Sequence, residues 1–300
     1  MKALVAKDYG DVDQLELREM PEPEVGPGDV RVKVAAASIN PIDWKLLAGA
    51  RRKLMELHFP AILGRDASGE VLEVGANVKS LRRGDRVLGL VFGSFAEQVV
   101  AAENAWAKLP PGLDAIEAAA LPLVGLTGAQ LADRVEPAKG RTILVTGALG
   151  GVGRVAVFVA KSAGATVWAG VRRSQLQAAS QLGADRVVAI YDDAGIAELP
   201  ELDAIADTVN GDTIAKLLPR LKKDGQLGSV LGEPAAAKER GVRTHAILTQ
   251  PDPKRLEDLA RAMASGRLAM QVQKRFPLAQ TADAIRLARA GGAGKVLVIP

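Results

Sequence analysis

An apolar run, Thr142-Ile143-Leu144-Val145-Thr146, passes without a break into Gly147-Ala148-Leu149-Gly150-Gly151-Val152-Gly153 and then into the helix-forming stretch Arg154 to Lys161. A strand that feeds a glycine-rich turn and then a helix opens a parallel βαβ unit. Gly150 lets the backbone approach a pyrophosphate, Gly153 lets the helix pack tightly on the strand, and the helix start offers free N–H groups and the positive end of its dipole. Gly147, Ala148, Gly150, Gly151, Val152 and Gly153 therefore read as a dinucleotide-binding turn. Ala148 stands where the strict fingerprint has glycine, and alanine suits that place wherever φ is negative.

The surrounding pattern supports this reading. The first helix ends at Gly164 and a second strand follows at Thr166 to Ala169. A second helix at Ser174 to Leu182 stops at Gly183, before a third strand at Arg186 to Ile190. A site for NAD places an acidic side chain about twenty residues past the fingerprint, on the ribose hydroxyls. This chain has Gly170-Val171-Arg172-Arg173-Ser174 there instead. Guanidinium groups where a carboxylate would repel a 2′-phosphate point to NADP(H), with Arg172, Arg173 and Ser174 as its contacts; the alternative is a pair of solvated surface arginines.

Three hundred residues fit two domains, and 48% hydrophobic with 25% charged residues is the balance of a cored globular protein. The chain has no cysteine, which excludes disulfides and thiolate metal sites, and its two histidines, His58 and His245, are too few for a His-rich zinc site. The net charge of +4 is modest, and the basic clusters Arg51-Arg52-Lys53 and Lys222-Lys223 lack interleaved aromatics, so nucleic acid is not the expected partner. The start of the chain goes directly into a strand pattern with no signal peptide, and no apolar run reaches membrane-spanning length, so a cytoplasmic protein is expected.

Before residue 112 the patterns are short strands: Ala3 to Ala6, Leu15 to Arg18, Val30 to Val34, Gly69 to Gly75, Gly84 to Gly89 and Phe95 to Ala101. After Pro110-Pro111-Gly112 helices begin. Asp114 caps one through Leu121, and another runs from Thr127 to Arg134. Beyond the glycine turn come strands at Leu202 to Val209, Gln226 to Val230 and Val242 to Thr249, with a helix at Thr213 to Leu221. A helix from Asp252-Pro253 to Ala264, a strand near Met270 to Lys274, a helix at Thr281 to Ala290 and a strand at Lys295 to Ile299 complete the chain. There is no internal repeat. The last αβ unit most simply returns to the first domain, so residues 1–118 and 254–300 form one domain and residues 119–253 the other.

This order of motifs resembles the medium-chain dehydrogenase/reductase superfamily over nearly the full length. The resemblance rests on Gly64-Arg65-Asp66-Ala67-Ser68-Gly69-Glu70-Val71, Val74-Gly75-Ala76-Asn77-Val78, Gly84-Asp85-Arg86-Val87, Gly93-Ser94-Phe95-Ala96-Glu97, the glycine turn and Gly294-Lys295-Val296. Within it, Ser38-Ile39-Asn40-Pro41-Ile42-Asp43-Trp44-Lys45 is similar to the zinc-free quinone oxidoreductase branch, including the NADPH-dependent alkenal/one oxidoreductases. The fold so implied is a Rossmann doubly wound parallel sheet inserted into a GroES-like, β-rich catalytic domain. Zinc alcohol dehydrogenases of the superfamily have a Cys ligand in the segment matching Ser38-Ile39-Asn40 and a His-Glu pair where this chain has Arg65-Asp66. They also carry a four-cysteine lobe, whereas only Leu88 to Phe92 separate Arg86-Val87 from Gly93 here.

Zinc stabilises the alkoxide from which hydride leaves an alcohol, whereas an enone or quinone spreads the incoming charge into an enolate or hydroquinone anion that ordinary hydrogen-bond donors stabilise. The expected activity is therefore NADPH-dependent hydride transfer to quinones or to the C=C bond of α,β-unsaturated carbonyls. The resemblance puts Asn40 on the substrate side of the nicotinamide, as a donor to the acceptor carbonyl or as a residue that fixes the turn before Pro41. Lys45 either places an ammonium near the developing oxyanion or lies at the surface, and Asp43 reads as a cap or supporting partner. Many relatives have a tyrosine after this helix where Gly49 to Lys53 stand here, so the last proton comes from water, with His58 the nearest titratable side chain and read first as a partly buried structural residue.

By the same matching, Thr127 is expected near the nicotinamide or its phosphates, and Tyr191 beside the adenosine 2′-phosphate. Asn210, Leu231 and Gly232 fall at strand ends that bind ligands in open α/β sheets, and Lys295 approaches the cofactor. Close quinone reductases have a phosphate-pairing lysine on the second helix, where this chain has Leu176, so Arg172 or Arg173 has to substitute. Two alternatives stand beside the main reading: an enoyl-thioester reductase, with Arg51, Arg52 and Lys53 along the thioester arm, or an NADPH-binding protein acting through RNA or protein partners with little turnover. The resemblance also implies a homodimer paired through the Val242 to Thr249 strand.

Overall fold

The computed structural model describes residues 1–53, 55–292 and 294–300. The chain divides into two compact units, one of Met1–Leu123 with Pro251–Pro300 and one of Val124–Gln250.

The first unit begins with β1 (Lys2–Ala6), β2 (Leu15–Glu19), β3 (Asp29–Ser38), α1 (Pro41–Leu47), β4 (Ala61–Ile62), β5 (Asp66–Val74), β6 (Arg86–Leu90), β7 (Gln98–Ala102), β8 (Trp106–Lys108) and α2 (Ala115–Ala118). Asp114 caps α2 through the Ile116 and Glu117 N–H groups. Then α3 (Pro122–Arg134) carries the chain into the second unit. Proline opens α3, where its missing N–H has no partner to lose, so this helix starts earlier than the Thr127 that the apolar pattern suggested. Ala119 to Leu123, expected in the second domain, belong to the first unit. Ala119 and Ala120 bury against Ala36 and Leu297, and the Leu123 N–H donates to Asp66.

The second unit continues with β9 (Thr142–Thr146), α4 (Gly151–Ser162), β10 (Thr166–Val171), α5 (Leu176–Ala179), β11 (Arg186–Ala189), α6 (Asp193–Ala197), β12 (Leu202–Asp207), α7 (Gly211–Leu217), β13 (Leu221–Ser229), α8 (Ala235–Glu239) and β14 (Arg243–Ala246). All six strands run parallel in the order β11-β10-β9-β12-β13-β14, with Leu144 of β9 opposite Trp168 on one side and Ile205 on the other. The order reverses between β9 and β12, and in such sheets ligands bind outside the carboxyl ends of the strands at that point. Buried Leu144, Ile205, Ile214, Leu217 and Leu227 form one core cluster of this unit. The expected helix at Ser174 to Leu182 is shorter. Only Leu176–Ala179 is α-helical, between two 3-10 turns, and Gly183 closes it at φ +72°. The edge strand is also shorter than Val242 to Thr249, because Gln250 turns back to exchange hydrogen bonds with the Gln130 side chain and Thr249 pairs with Thr127.

The chain re-enters the first unit with α9 (Pro253–Ala264), capped by Asp252, then β15 (Val272–Pro277), α10 (Thr281–Ala290) and β16 (Lys295–Ile299). These strands complete a sheet in the order β15-β16-β3-β5-β6-β8, with β7 also paired to β3; a smaller sheet runs β2-β1-β4. Leu46 and Leu47 of α1, Ile285 of α10 and Val296 and Val298 of β16 bury in one cluster with Phe95. Full burial of each such side chain contributes about 1.5–3 kcal/mol. This packing fixes the start of α1 beside the last strand of the chain.

Candidate functional site

In the second unit the glycine turn sits at the carboxyl end of β9. Gly147 has φ +58°, a conformation that disfavours a side chain, whereas Ala148 is fully buried outside that region, so alanine fits where the strict fingerprint has glycine. A Cβ on Gly153 would press on the Gly147 carbonyl oxygen and stand 2.8 Å from the Ala148 Cα. Glycine is thus required there by the approach of helix to turn. Gly150 is the N-cap of α4 and carries no side chain to occupy the helix start; the first turn, Gly151 and Val152 included, holds no acidic residue. These residues fit the pyrophosphate of a pyridine dinucleotide, which needs close backbone approach, free N–H donors and no competing carboxylate.

One carboxylate organises the rim of this sheet. Asp207, at the end of β12 and fully buried, accepts from the Thr146 hydroxyl at 2.9 Å, the Val209 and Asn210 N–H groups at 3.0 and 3.1 Å, and the Ser229 hydroxyl at 2.9 Å. It joins the ends of β9, β12 and β13. Sequence reasoning did not single it out, although an acid that ends an apolar strand is a visible signal. Asn210 takes φ +53° and caps α7 through Gly211, Leu231 is partly exposed, and Gly232 turns the chain at φ +94°. The Thr127 side chain is buried, 2.6 Å from the Thr249 hydroxyl.

The two arginines expected at a 2′-phosphate differ in their commitments. Arg172, Arg173 and Ser174 are all exposed after β10. Arg173 forms a two-point ion pair with Asp192 at 2.8 and 3.2 Å, which raises its pKa and lowers that of Asp192. Arg172 instead lies with its guanidinium carbon 5.7 Å from the ring centre of Tyr191, which is itself partly exposed.

In the first unit the start of α1, the start of β5 and the start of β16 meet in a buried polar cluster. Asn40 caps α1; its backbone N–H donates to Asp43 at 2.7 Å, its amide donates to Asp66 at 2.7 Å and to the Ser38 carbonyl at 3.2 Å, and its Oδ1 accepts from the Lys295 ammonium at 2.5 Å. Lys295 also donates to the Ile39 carbonyl at 2.8 Å. Asp66 accepts from the Ser38 hydroxyl at 2.5 Å and from the Leu123 N–H at 2.6 Å. Ser38, Asn40, Asp43 and Asp66 are fully buried.

Burial pushes the Asp43 carboxyl up to about 7; Asp66 adds to the rise, while the Asn40 N–H, Lys295 and Arg65 oppose it. Asp43 Oδ1 has no hydrogen-bond partner among the described residues. Burial likewise lowers the pKa of Lys295, against the pull of Asp66 and Asp43. Asn40 and Lys295, expected separately at substrate and cofactor, are therefore hydrogen-bonded to each other, and both amide hydrogens of Asn40 are already engaged. Lys45 projects from α1 half-exposed, with no hydrogen bond or ion pair among the described residues. His58, read as partly buried, is exposed, since it precedes the Phe59-Pro60 bend at the surface of its loop.

Comparison with known proteins agrees with this architecture. Residues 26–111 match the alcohol dehydrogenase GroES-like domain, and residues 182–298 match the zinc-binding dehydrogenase domain. The chain is 33% identical to a chloroplast envelope quinone oxidoreductase homolog of Arabidopsis thaliana, over 100% of this chain and 98% of that protein. It is also 33% identical to an NADPH-dependent alkenal/one oxidoreductase of the same plant, over 100% of this chain and 80% of that one. The solved quinone oxidoreductase from Coxiella burnetii superposes with a TM-score of 0.91 at 29% identity, covering 100% and 99% of the two chains. Glycine turn, inserted parallel sheet and relatives agree, and the chain belongs to the quinone oxidoreductase and alkenal/one oxidoreductase branch of the medium-chain dehydrogenase/reductase superfamily.

Proposed function

We propose that this protein reduces quinones, or the C=C bond of α,β-unsaturated carbonyls, with NADPH and without a metal ion. The observation that carries the reading is the helix start at Gly150-Gly151, without a capping side chain and free of acids, with Arg172 exposed at the end of the neighbouring strand. The names of the relatives supply the acceptor class.

NADPH, when bound, supplies the hydride. Gly147, Gly150, Gly151, Val152 and Gly153 hold its pyrophosphate, Arg172 its extra phosphate, and Thr127, Asn210, Leu231 and Gly232 line its path along the rim. In the first unit Lys45 is the donor for the acceptor oxygen, because its ammonium is uncommitted while the Asn40 amide is engaged. Asn40 serves by fixing the start of α1, which carries Lys45. The proton that completes reduction comes from water.

The donor set supports metal independence. Zinc enzymes of the superfamily have a cysteine in the segment that here reads Ser38-Ile39-Asn40, and Asp66, beside Arg65, is already engaged by three hydrogen bonds, from Ser38, Asn40 and Leu123. The same reading covers a cytoplasmic location and a homodimer. The pairing element for the dimer is β14, which lies at the edge of its sheet next to the exposed Leu248. A monomer in light scattering at micromolar concentration would remove the dimer.

The test mixes purified protein with NADPH or NADH and follows nicotinamide absorbance while a quinone, a short alkenal and a crotonyl thioester are offered in turn. Turnover of quinone or alkenal with NADPH well above NADH supports the reading. Preference for the thioester moves it to enoyl-thioester reduction, and tight NADPH binding with no turnover on any acceptor overturns it in favour of a partner-binding role.

A further inference from the structure

We infer that Arg154, on the first turns of α4, joins Arg172 and the ring of Tyr191 to form the socket for the 2′-phosphate of NADPH, and that Arg173 stands outside it. The inference rests on the NADPH reading and names which of the basic residues carry it.

Arg154 is half-buried, yet its side chain has neither hydrogen bond nor ion pair among the described residues. Burial alone lowers its pKa, with no acid near enough to offset it. A guanidinium taken partly out of water without a partner is costly, which marks it as a group that meets its counter-ion in a complex.

Its direction follows from the helix. Lys161 lies seven residues later, close to two turns, and so on the same face of α4. Its ammonium pairs with both oxygens of Asp185 at 2.8 Å, and Asp185 also accepts from the Val167 N–H at 2.7 Å. That stripe of α4 thus faces the amino end of β10. Arg154 is displaced from Lys161 by about 10 Å along the axis toward the helix start, and helical side chains lean further the same way. The displacement leads to the carboxyl end of β10, where Arg172 follows Val171. The Ala148 N–H, 3.2 Å from the Gly170 carbonyl oxygen, ties the glycine turn to that same strand end. Arg172 there lacks an ion pair and leans over Tyr191, whereas Arg173 is already neutralised by Asp192.

The test measures binding of adenosine 2′,5′-bisphosphate and of AMP, which differ only in the 2′-phosphate, by calorimetry on the intact protein. Loss of one charge-assisted contact predicts about tenfold weaker bisphosphate binding for Arg154→Gln and for Arg172→Gln, with AMP affinity unchanged. Arg173→Gln should leave both affinities as they are, and Arg154→Lys should recover part of the loss while keeping the packing of the stem. The assignment is overturned if Arg154→Gln weakens both ligands alike or neither, or if Arg173→Gln costs more than Arg154→Gln. If the unaltered protein itself binds AMP as well as the bisphosphate, the NADPH reading fails first, an outcome distinct from a discriminating protein that ignores the Arg154 change.

Discussion

The Lys295 ammonium lies 2.5 Å from Asn40 Oδ1 and 3.8 Å from Asp66 Oδ2, so the last strand of the chain holds the cap of its first helix through one buried charge. Lys295→Met leaves Asp66 without its cation and Asn40 without its Oδ1 partner. Breaking a buried pair from one side costs about 3–5 kcal/mol. Urea denaturation should show that loss, and Asp66→Asn added to Lys295→Met should restore part of it. Two additive losses would mean that the two groups do not interact.

Asp43 gives the fold a pH dependence of known sign. Its folded-state value of about 7 stands above the ordinary value of 3.8, so the folded protein binds a proton more tightly than the unfolded chain. The associated stability is fully present below about pH 4 and is lost as pH rises through 7. The cost by pH 8 is on the order of 2–4 kcal/mol. Asp43→Asn keeps an acceptor for the Asn40 N–H and carries no charge, so denaturation midpoints between pH 5 and 8 should vary less in this variant than in the parent. Equal pH slopes would assign the titration to another group.

Gly153→Ala tests the packing that the turn depends on. The new methyl meets the Gly147–Ala148 backbone, which cannot rotate away as the end of a side chain would. Overpacking of this kind costs about 1–3 kcal/mol, and it shifts the helix start proposed to bind pyrophosphate. Both melting temperature and NADPH affinity should fall. A variant with unchanged nucleotide affinity would separate the turn from the cofactor.

The glycine turn was legible because it rests on local chemistry: a strand, a turn that needs φ above zero, and a helix start. In the sequence Arg154 is one more polar position of an amphipathic helix, and only its missing partner distinguishes it. The Asn40, Asp66 and Lys295 cluster was hidden for a different reason. Lys295 is 255 residues from Asn40, and no periodicity links a cap on α1 to the first residue of β16. Arg172 and Arg173 looked equivalent as neighbours in sequence; the carboxylate of Asp192, nineteen residues on from Arg173, separates them.

Lys45 and Asn40 make opposite predictions although both stand on α1. Lys45 is half-exposed and uncommitted, so Lys45→Met should leave the melting temperature nearly unchanged. It should also lower kcat/KM for the quinone or alkenal on the order of a hundred- to a thousandfold, the scale of one lost oxyanion donor. NADPH affinity should stay the same. Asn40→Ala removes two donors and one acceptor from groups that water cannot reach, leaving Lys295 and Asp66 short of partners, so stability should fall by about 1–3 kcal/mol before any effect on chemistry is visible. Thermal melts and steady-state kinetics on both variants decide between them. If Lys45→Met is fully active while folded Asn40→Ala loses turnover with its KM unchanged, the oxyanion donor is Asn40, and its amide must leave Ser38 or Asp66 to reach the acceptor.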